Sequence, residues 1–185
     1  YNDGNGEDSG RVRVFSLDTT APTFSSAATN AAGTKVVLTY DETLSSTTAS
    51  TSAFTVSSGG AANAVTAVAI SGSTVELTLT NTIKNGQAVT VAYSDPSGSD
   101  DANAVQDSAG NDAASLSSTT VTNNSTIFHG TSGADSINGT SGNDTIRGYD
   151  GNDIINGLGG DDFIEGGPGS KHNDQDTIDG GDGND

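Results

Sequence analysis

The sequence has no cysteine, no methionine and no tryptophan. Without cysteine, disulfides and thiolate metal sites are both excluded. It has only 6 Lys and Arg against 24 Asp and Glu, a formal net charge of −18. No basic stripe can neutralise phosphates, which excludes nucleic acid as a partner and disfavours anionic membranes. No run approaches the roughly 18 apolar residues that a membrane helix needs. Hydrophobic residues make up 31% and aromatic residues 5%. Much of the apolar content is alanine, which buries little area, so a bound cation could supply stability that one large core cannot. The chain starts at Tyr1 with no signal-like leader and stops at Asp185 inside a repeat, so it reads as an internal fragment of a longer protein.

What is present divides unevenly. Residues 130–185 hold 12 acids and 2 bases, and 15 of the 25 glycines. The composition breaks near Thr126 to Gly130. This predicts an N-terminal strand and linker over 1–21, the end of a preceding repeat, then a β-sandwich over 22–127 and an acidic repeat over 128–185. In the first zone, Arg11 to Phe15 reads as a short strand. Asp3, Asn5 and Glu7 alternate as in a calcium loop, although a solvated turn explains them more simply. In the second zone, strand patterns recur at Lys35–Tyr40, Ser52–Val56, Ala64–Ile70, Thr74–Leu79, Ala88–Tyr93 and Ala114–Val121. Glycine and proline turns separate them, helical periodicity is absent, and an antiparallel sandwich is expected.

The third zone repeats every nine residues: GTSGADSIN from Gly130, GTSGNDTIR from Gly139, GYDGNDIIN from Gly148 and GLGGDDFIE from Gly157. A fifth unit begins at Gly166, carries the insertion KHNDQ (171–175) and ends at Asp179. A partial sixth begins at Gly180. Positions one and four are always glycine. Position six is always aspartate: Asp135, Asp144, Asp153, Asp162, Asp176 and Asp185. Position eight is isoleucine in each of the five complete units. Glycines at one and four permit a tight six-residue turn, and the remaining three residues make a short strand with isoleucine inward. Two units then complete one coil, and units two apart stack at roughly 4.8 Å. Asp135, Asp153 and Asp176 pile up on one edge, and Asp144, Asp162 and Asp185 on the other. Two carboxylates about 4 Å apart repel by roughly 4 kcal/mol at an effective dielectric near 20. A divalent cation between turns reverses that sign. Calcium suits hard oxygen ligands and loose geometry, whereas His129 and His172 are too few for zinc. The metal-free repeat is therefore expected to be largely unfolded.

Three resemblances follow from these residues. NDGNGEDSGRVRVFSLD resembles the end of an FG-GAP-like repeat. YDETL, VTVAYSDPSG, AVQDSAGNDAASL and VTNNS resemble a bacterial Ig-like repeat of SwmB type, over 22–125. That likeness implies a spacer or adhesive module. The nonapeptide is similar to the RTX calcium-binding repeat. The fold implied is all-β, an antiparallel Ig-like sandwich followed by a parallel β-roll, an RTX-type β-solenoid. In that family, positions two, four and six of one unit meet positions one, three and six two units later. Carried over, Thr131, Gly133 and Asp135 would share an ion with Gly148, Asp150 and Asp153. Thr140, Gly142 and Asp144 would share one with Gly157, Gly159 and Asp162. Leu158, Gly160 and Asp162 would share one with Gly180, Asp182 and Asp185. A site joining Tyr149, Gly151 and Asp153 to Gly166, Pro168 and Asp176 is set against the insertion that bulges its turn. This implies about three to four calcium ions as the cofactor.

The expected function is structural: part of a large secreted or cell-surface bacterial repeat protein, acting as an adhesive, filament or surface-layer module. The RTX resemblance implies export by a type I-like route, followed by folding at extracellular calcium. The alternative is a non-catalytic accessory region of a secreted hydrolase. No G-x-S-x-G or H-E-x-x-H occurs, and the chain itself is not expected to be an enzyme. Expected partners are calcium, neighbouring repeats or copies of itself, and a surface or glycan target.

Overall fold

Alternating apolar residues between glycine turns build the sandwich. One sheet contains β1 (Phe24–Thr29), β2 (Lys35–Tyr40), β5 (Val65–Ser71) and β6 (Thr74–Leu79), in the order β1-β2-β6-β5. The other contains β3 (Phe54–Ser58), β4 (Ala61–Asn63), β7 (Val89–Tyr93) and β8 (Leu116–Thr120), in the order β4-β3-β7-β8. All pairings within these two sheets are antiparallel. The computed structural model describes residues 17–97, 100–167 and 174–185, and these are all-β apart from one 3-10 turn, Thr51–Ala53. Arg11 to Phe15, Asp3, Asn5 and Glu7 lie outside the described residues.

The alternation decides which side chains meet. Val36, Leu38 and Tyr40 of β2 and Val75, Leu77 and Leu79 of β6 are buried in one cluster with Phe54 and Val56 of β3 and Val89, Val91 and Tyr93 of β7. Gly59 and Gly60, at φ 59° and 83°, make the two-residue turn from β3 to β4, the mirror-image type that matches strand twist. Strands β1 and β4 carry no clear sequence signal. They lie at the ends of their sheets and are built largely from alanine and serine. The AGND stretch has a local cause. Buried Asp107 Oδ1 accepts N–H groups from Ala109, Gly110 and Asn111 at 2.8, 2.7 and 2.9 Å, so it folds its own turn.

The roll follows directly. Strands β9 (Ile127–His129), β11 (Thr145–Arg147) and β13 (Phe163–Glu165) form one parallel sheet, ordered β13-β11-β9. Strands β10 (Ser136–Asn138), β12 (Ile154–Asn156) and β14 (Thr177–Asp179) form the other, ordered β10-β12-β14. Ile146 pairs with Ile164 and Ile155 with Ile178, so the isoleucines stack as the repeat requires. The register is intact on both sides of the insertion, where Ile154, Ile155 and Asn156 pair with Thr177, Ile178 and Asp179. Ile146 and Ile155 are 0% and 1% exposed, while Ile178 on the last strand of its sheet is 49% exposed. Ile146→Ala is therefore expected to cost about 2–5 kcal/mol. Ile178→Ala should cost well under half of that, read as thermal melts in saturating calcium.

The first roll strand precedes the first complete nonapeptide. Phe128 of β9 pairs with Ile146 and heads the isoleucine column. The segment leading into it is tied to the sandwich. Thr126 N–H donates to the Ala31 carbonyl at 2.9 Å, Asn85 N–H to the Ile127 carbonyl at 2.8 Å, and Asn85 Nδ2 to the Ser125 carbonyl at 2.8 Å. His129 sits at this boundary, its Nδ1 2.9 Å from the Tyr149 hydroxyl. Burial, then the nearby Lys84 and Arg147 charges, push its pKa down.

Candidate metal centre

Two ladders of aspartate run along the edges of the roll. The backbone N–H of Asp135 donates to Asp153 Oδ1 at 2.9 Å, and that of Asp153 to Asp176 Oδ1 at 3.0 Å. On the other edge Asp144 N–H donates to Asp162 Oδ1 at 2.9 Å, and Asp162 N–H to Asp185 Oδ1 at 3.0 Å. Asp153, Asp176, Asp162 and Asp185 thus each spend one oxygen on the N–H of a neighbouring turn, and Asp153 and Asp162 keep the other buried. The spacing of 18 residues, or 23 across the insertion, gives the same bond, so Asp176 keeps its place in the stack.

The Oδ2 oxygens face a cradle that only glycine leaves open. A Cβ added at Gly148 would collide with both Asp153 Oδ2 and the Gly166 carbonyl, and one at Gly157 with Asp162 Oδ2 and the Gly180 carbonyl. At Gly130 the added atom would meet Asp135 Oδ2 and the Gly148 carbonyl, and at Gly139 it would meet Asp144 Oδ2 and the Gly157 carbonyl. A carboxylate oxygen and a carbonyl oxygen from the next turn therefore converge four times. Neither can donate a hydrogen bond to the other, and a cation satisfies both. Asp153 and Asp162 are 1% and 6% exposed, and the Oδ2 of each is buried with no hydrogen-bond partner. A buried charged acceptor left unsatisfied costs more than about 1–3 kcal/mol. The donor set is all oxygen, carboxylate and carbonyl, which fits calcium.

The other residues singled out by the repeat lie in the same turns. Gly151 packs on the backbone of Gly133, and Gly160 on that of Gly142 and Asn143. Gly159 N–H points at the Thr140 carbonyl, and Asp182 N–H donates to the Leu158 carbonyl at 3.0 Å. Asp150 lies in the turn between Tyr149 and Gly151, and Asp185 ends the second ladder. Pro168, His172 and most of the insertion lie outside the described residues.

Position five contributes a feature that the nonapeptide pattern concealed. Asn143 Oδ1 accepts the Asp161 N–H at 2.9 Å, Asp161 Oδ1 the Asn184 N–H at 3.1 Å, and Asn152 Oδ1 the Gln175 N–H at 2.8 Å. This is a third set of links between turns. Its sequence signal was a column of Asn, Asp and Gln after a single alanine, Ala134. Two acidic trios in the sandwich, Asp18 with Glu42 and Asp107, and Asp95 with Asp101 and Asp112, are close enough to share a cation. In the first trio, Asp107 already has both oxygens hydrogen-bonded.

Comparison with known proteins gives two family matches. Residues 17–98 match a family described as a flagellar system-associated repeat, the SWM repeat. Residues 129–164 and 172–185 match the RTX calcium-binding nonapeptide repeat. No curated protein matches the chain in sequence. Among solved structures, the N-terminal part of the bacterial S-layer protein SbsC is similar at 23% identity with a TM-score of 0.45, covering 57% of this chain and 24% of that one. The S-layer protein rSbsC(31-844) is similar at 23% identity with a TM-score of 0.44, covering 56% of this chain and 14% of that one. The chain thus spans a quarter or less of the length of these structures.

Proposed function

We propose that this chain, an SWM repeat followed by RTX calcium-binding nonapeptide repeats, is a spacer-and-roll segment of a large secreted or cell-surface bacterial repeat protein. Its role is structural and non-catalytic: the sandwich extends the chain, and the roll sets rigidly when calcium reaches it. The observation that carries this reading is the pair of buried, unpartnered oxygens, Asp153 Oδ2 and Asp162 Oδ2, each facing a carbonyl across a glycine cradle. Calcium supplies the positive charge that those oxygens lack.

The residues that would hold it follow the stacks. Asp135 and Asp153 serve one position, with Thr131, Gly133, Gly148 and Asp150 of their turns. Asp144 and Asp162 serve a second, with Thr140, Gly142, Gly157 and Gly159. Asp162 and Asp185 serve a third, with Gly160, Gly180 and Asp182. Asp153 and Asp176 serve a fourth, with Gly151 and Gly166. A chain whose roll is incomplete at low calcium passes an export channel more readily than a folded one, and it sets outside the cell where calcium is plentiful. Adhesion, filament formation and surface-layer assembly with neighbouring repeats or copies of itself all use such a segment.

The test is a calcium titration of the chelated chain followed by circular dichroism, with magnesium as control. Calcium is expected to increase the β signal cooperatively, while magnesium, which demands octahedral geometry and holds its waters, should do so weakly or not at all. A spectrum that calcium leaves unchanged would remove the proposal.

A further inference from the structure

The first four turns of the roll are not equivalent, and the difference falls on the carboxylates. In the first two units position two is threonine. Thr131 donates to Asp135 Oδ2 through its N–H at 2.6 Å and through its hydroxyl at 3.0 Å. Thr140 does the same for Asp144 Oδ2, through its N–H at 2.5 Å and its hydroxyl at 3.1 Å. Each hydroxyl also accepts the N–H of the following glycine, Gly133 at 3.2 Å and Gly142 at 3.1 Å. In the next two units position two is Tyr149 or Leu158, neither of which can supply such a hydroxyl from its Cβ. Both sit at left-handed φ, 75° and 77°, and Gly151 and Gly160 after them at 121° and 106°. Gly133 and Gly142 have no left-handed φ. These are two turn forms. The threonine form satisfies its own aspartate, and the other leaves Asp153 Oδ2 and Asp162 Oδ2 buried without a donor.

The threonine turns are also the ones held by the sandwich. Strand β11, which ends the second unit, pairs with β9. Strand β9 is fixed at its base by the bonds from Asn85 to the Ile127 and Ser125 carbonyls. Gly130 N–H donates to the Arg147 carbonyl at 2.8 Å and closes that first coil.

The geometry points to a roll of two tiers. Residues 127–147 fold on the sandwich without calcium, with Thr131 and Thr140 standing in for the metal at Asp135 and Asp144. Residues 148–185 coil onto that platform only when calcium binds. The threonines are positioning residues, and the sandwich with its threonine turns is the template for the calcium-dependent part. The inference rests on the calcium reading above and changes its scope: chelation should shorten the roll and not erase it.

Hydrogen exchange of the whole chain, resolved by peptide, tests this in chelator and in calcium. In chelator, the amides of 127–147 that bond within this tier, Gly130, Thr131, Thr140 and Thr145 among them, are expected to stay protected, while Asp135, Gly139, Asp144 and β10, which bond to the second tier, and the amides of 148–185 exchange freely, and calcium should protect the latter. Thr131→Val with Thr140→Val should lower protection of 127–147 in chelator by about tenfold, the worth of a lost hydrogen bond to a charged group. Free exchange over all of 127–185 in chelator, gained as one block with calcium, overturns the two tiers but leaves calcium-dependent folding standing. Protection of 148–185 already present in chelator overturns both. Protection confined to 127–147 in chelator and calcium alike supports the platform and overturns the calcium reading. A double variant that exchanges like the parent in chelator overturns the role given to the threonines.

Discussion

Asp162→Ala should weaken calcium-induced folding of the roll by about a hundredfold in midpoint concentration, more than any other single change on the two ladders except Asp153→Ala. Asp162 sits in the middle of its stack. Its Oδ1 accepts from Asp144, its N–H donates to Asp185, and its Oδ2 is one of the two buried oxygens without a partner. Removing the carboxylate takes one negative ligand from two cation positions at once and orphans the Asp144 N–H. Removing one partner of a buried charged pair costs about 3–5 kcal/mol, and each 1.4 kcal/mol is about tenfold in an equilibrium constant. The same replacement at Asp185 touches one position and should cost about half as much on that scale. Asp161→Ala is the control. Asp161 is exposed and contributes only the position-five link to Asn184, so its loss should cost about 1 kcal/mol or less. Calcium titrations of the three variants by circular dichroism rank them, and equal midpoints for Asp162→Ala and Asp161→Ala would contradict the stacked arrangement.

Gly33→Ala is expected to destabilise the sandwich by more than about 3 kcal/mol, whether calcium is present or not. Gly33 has φ 64°, and an added Cβ would run into the backbone carbonyl of Ile83 and lie 2.9 Å from Ser125 Oγ. That carbonyl cannot move aside, because Ile83 N–H donates back to the Gly33 carbonyl at 2.8 Å and Ser125 Oγ donates to the Ile83 carbonyl at 2.7 Å. Gly72 separates the two parts of the cost. It has φ 59° but nothing within 4 Å of an added Cβ, so Gly72→Ala should cost only the left-handed strain, about 1 kcal/mol. Chemical denaturation of both variants in chelator measures the difference. Because Ser125 leads directly into β9, Gly33→Ala should also raise the calcium needed to set the roll, although it lies in the other module.

Strand β6 and the hairpin it makes with β5 were legible from sequence because β-branched residues alternate there around Ser71 to Ser73. Strand β1 was not, since FSSAAT has no strong alternation and takes its order from backbone pairing with β2. Strand β3 begins at Phe54, after a 3-10 turn over Thr51–Ala53 that the pattern at Ser52–Val56 hides. In the roll, the period of nine fixes both the stack and the inward column, because every turn meets a copy of itself. Local sequence therefore states a long-range contact, which it does nowhere in the sandwich. The insertion illustrates the limit. Its five residues suggested a distorted cation position, yet Asp153 still bonds Asp176 and β14 stays in register with β12.

From the sequence alone came the all-β class, the order of an SWM repeat and a calcium-binding nonapeptide repeat, the two aspartate edges and the isoleucine column. All of these depend on period and residue type, which one chain spells out completely. Tertiary structure decided which aspartate oxygens have partners, that threonine and left-handed residues make different turns from one motif, and that the roll starts on β9 at the base of the sandwich. These depend on where a hydroxyl, a φ angle or a neighbouring loop lies in space, and residues such as Asn85 and Ile127 meet only after the chain has folded.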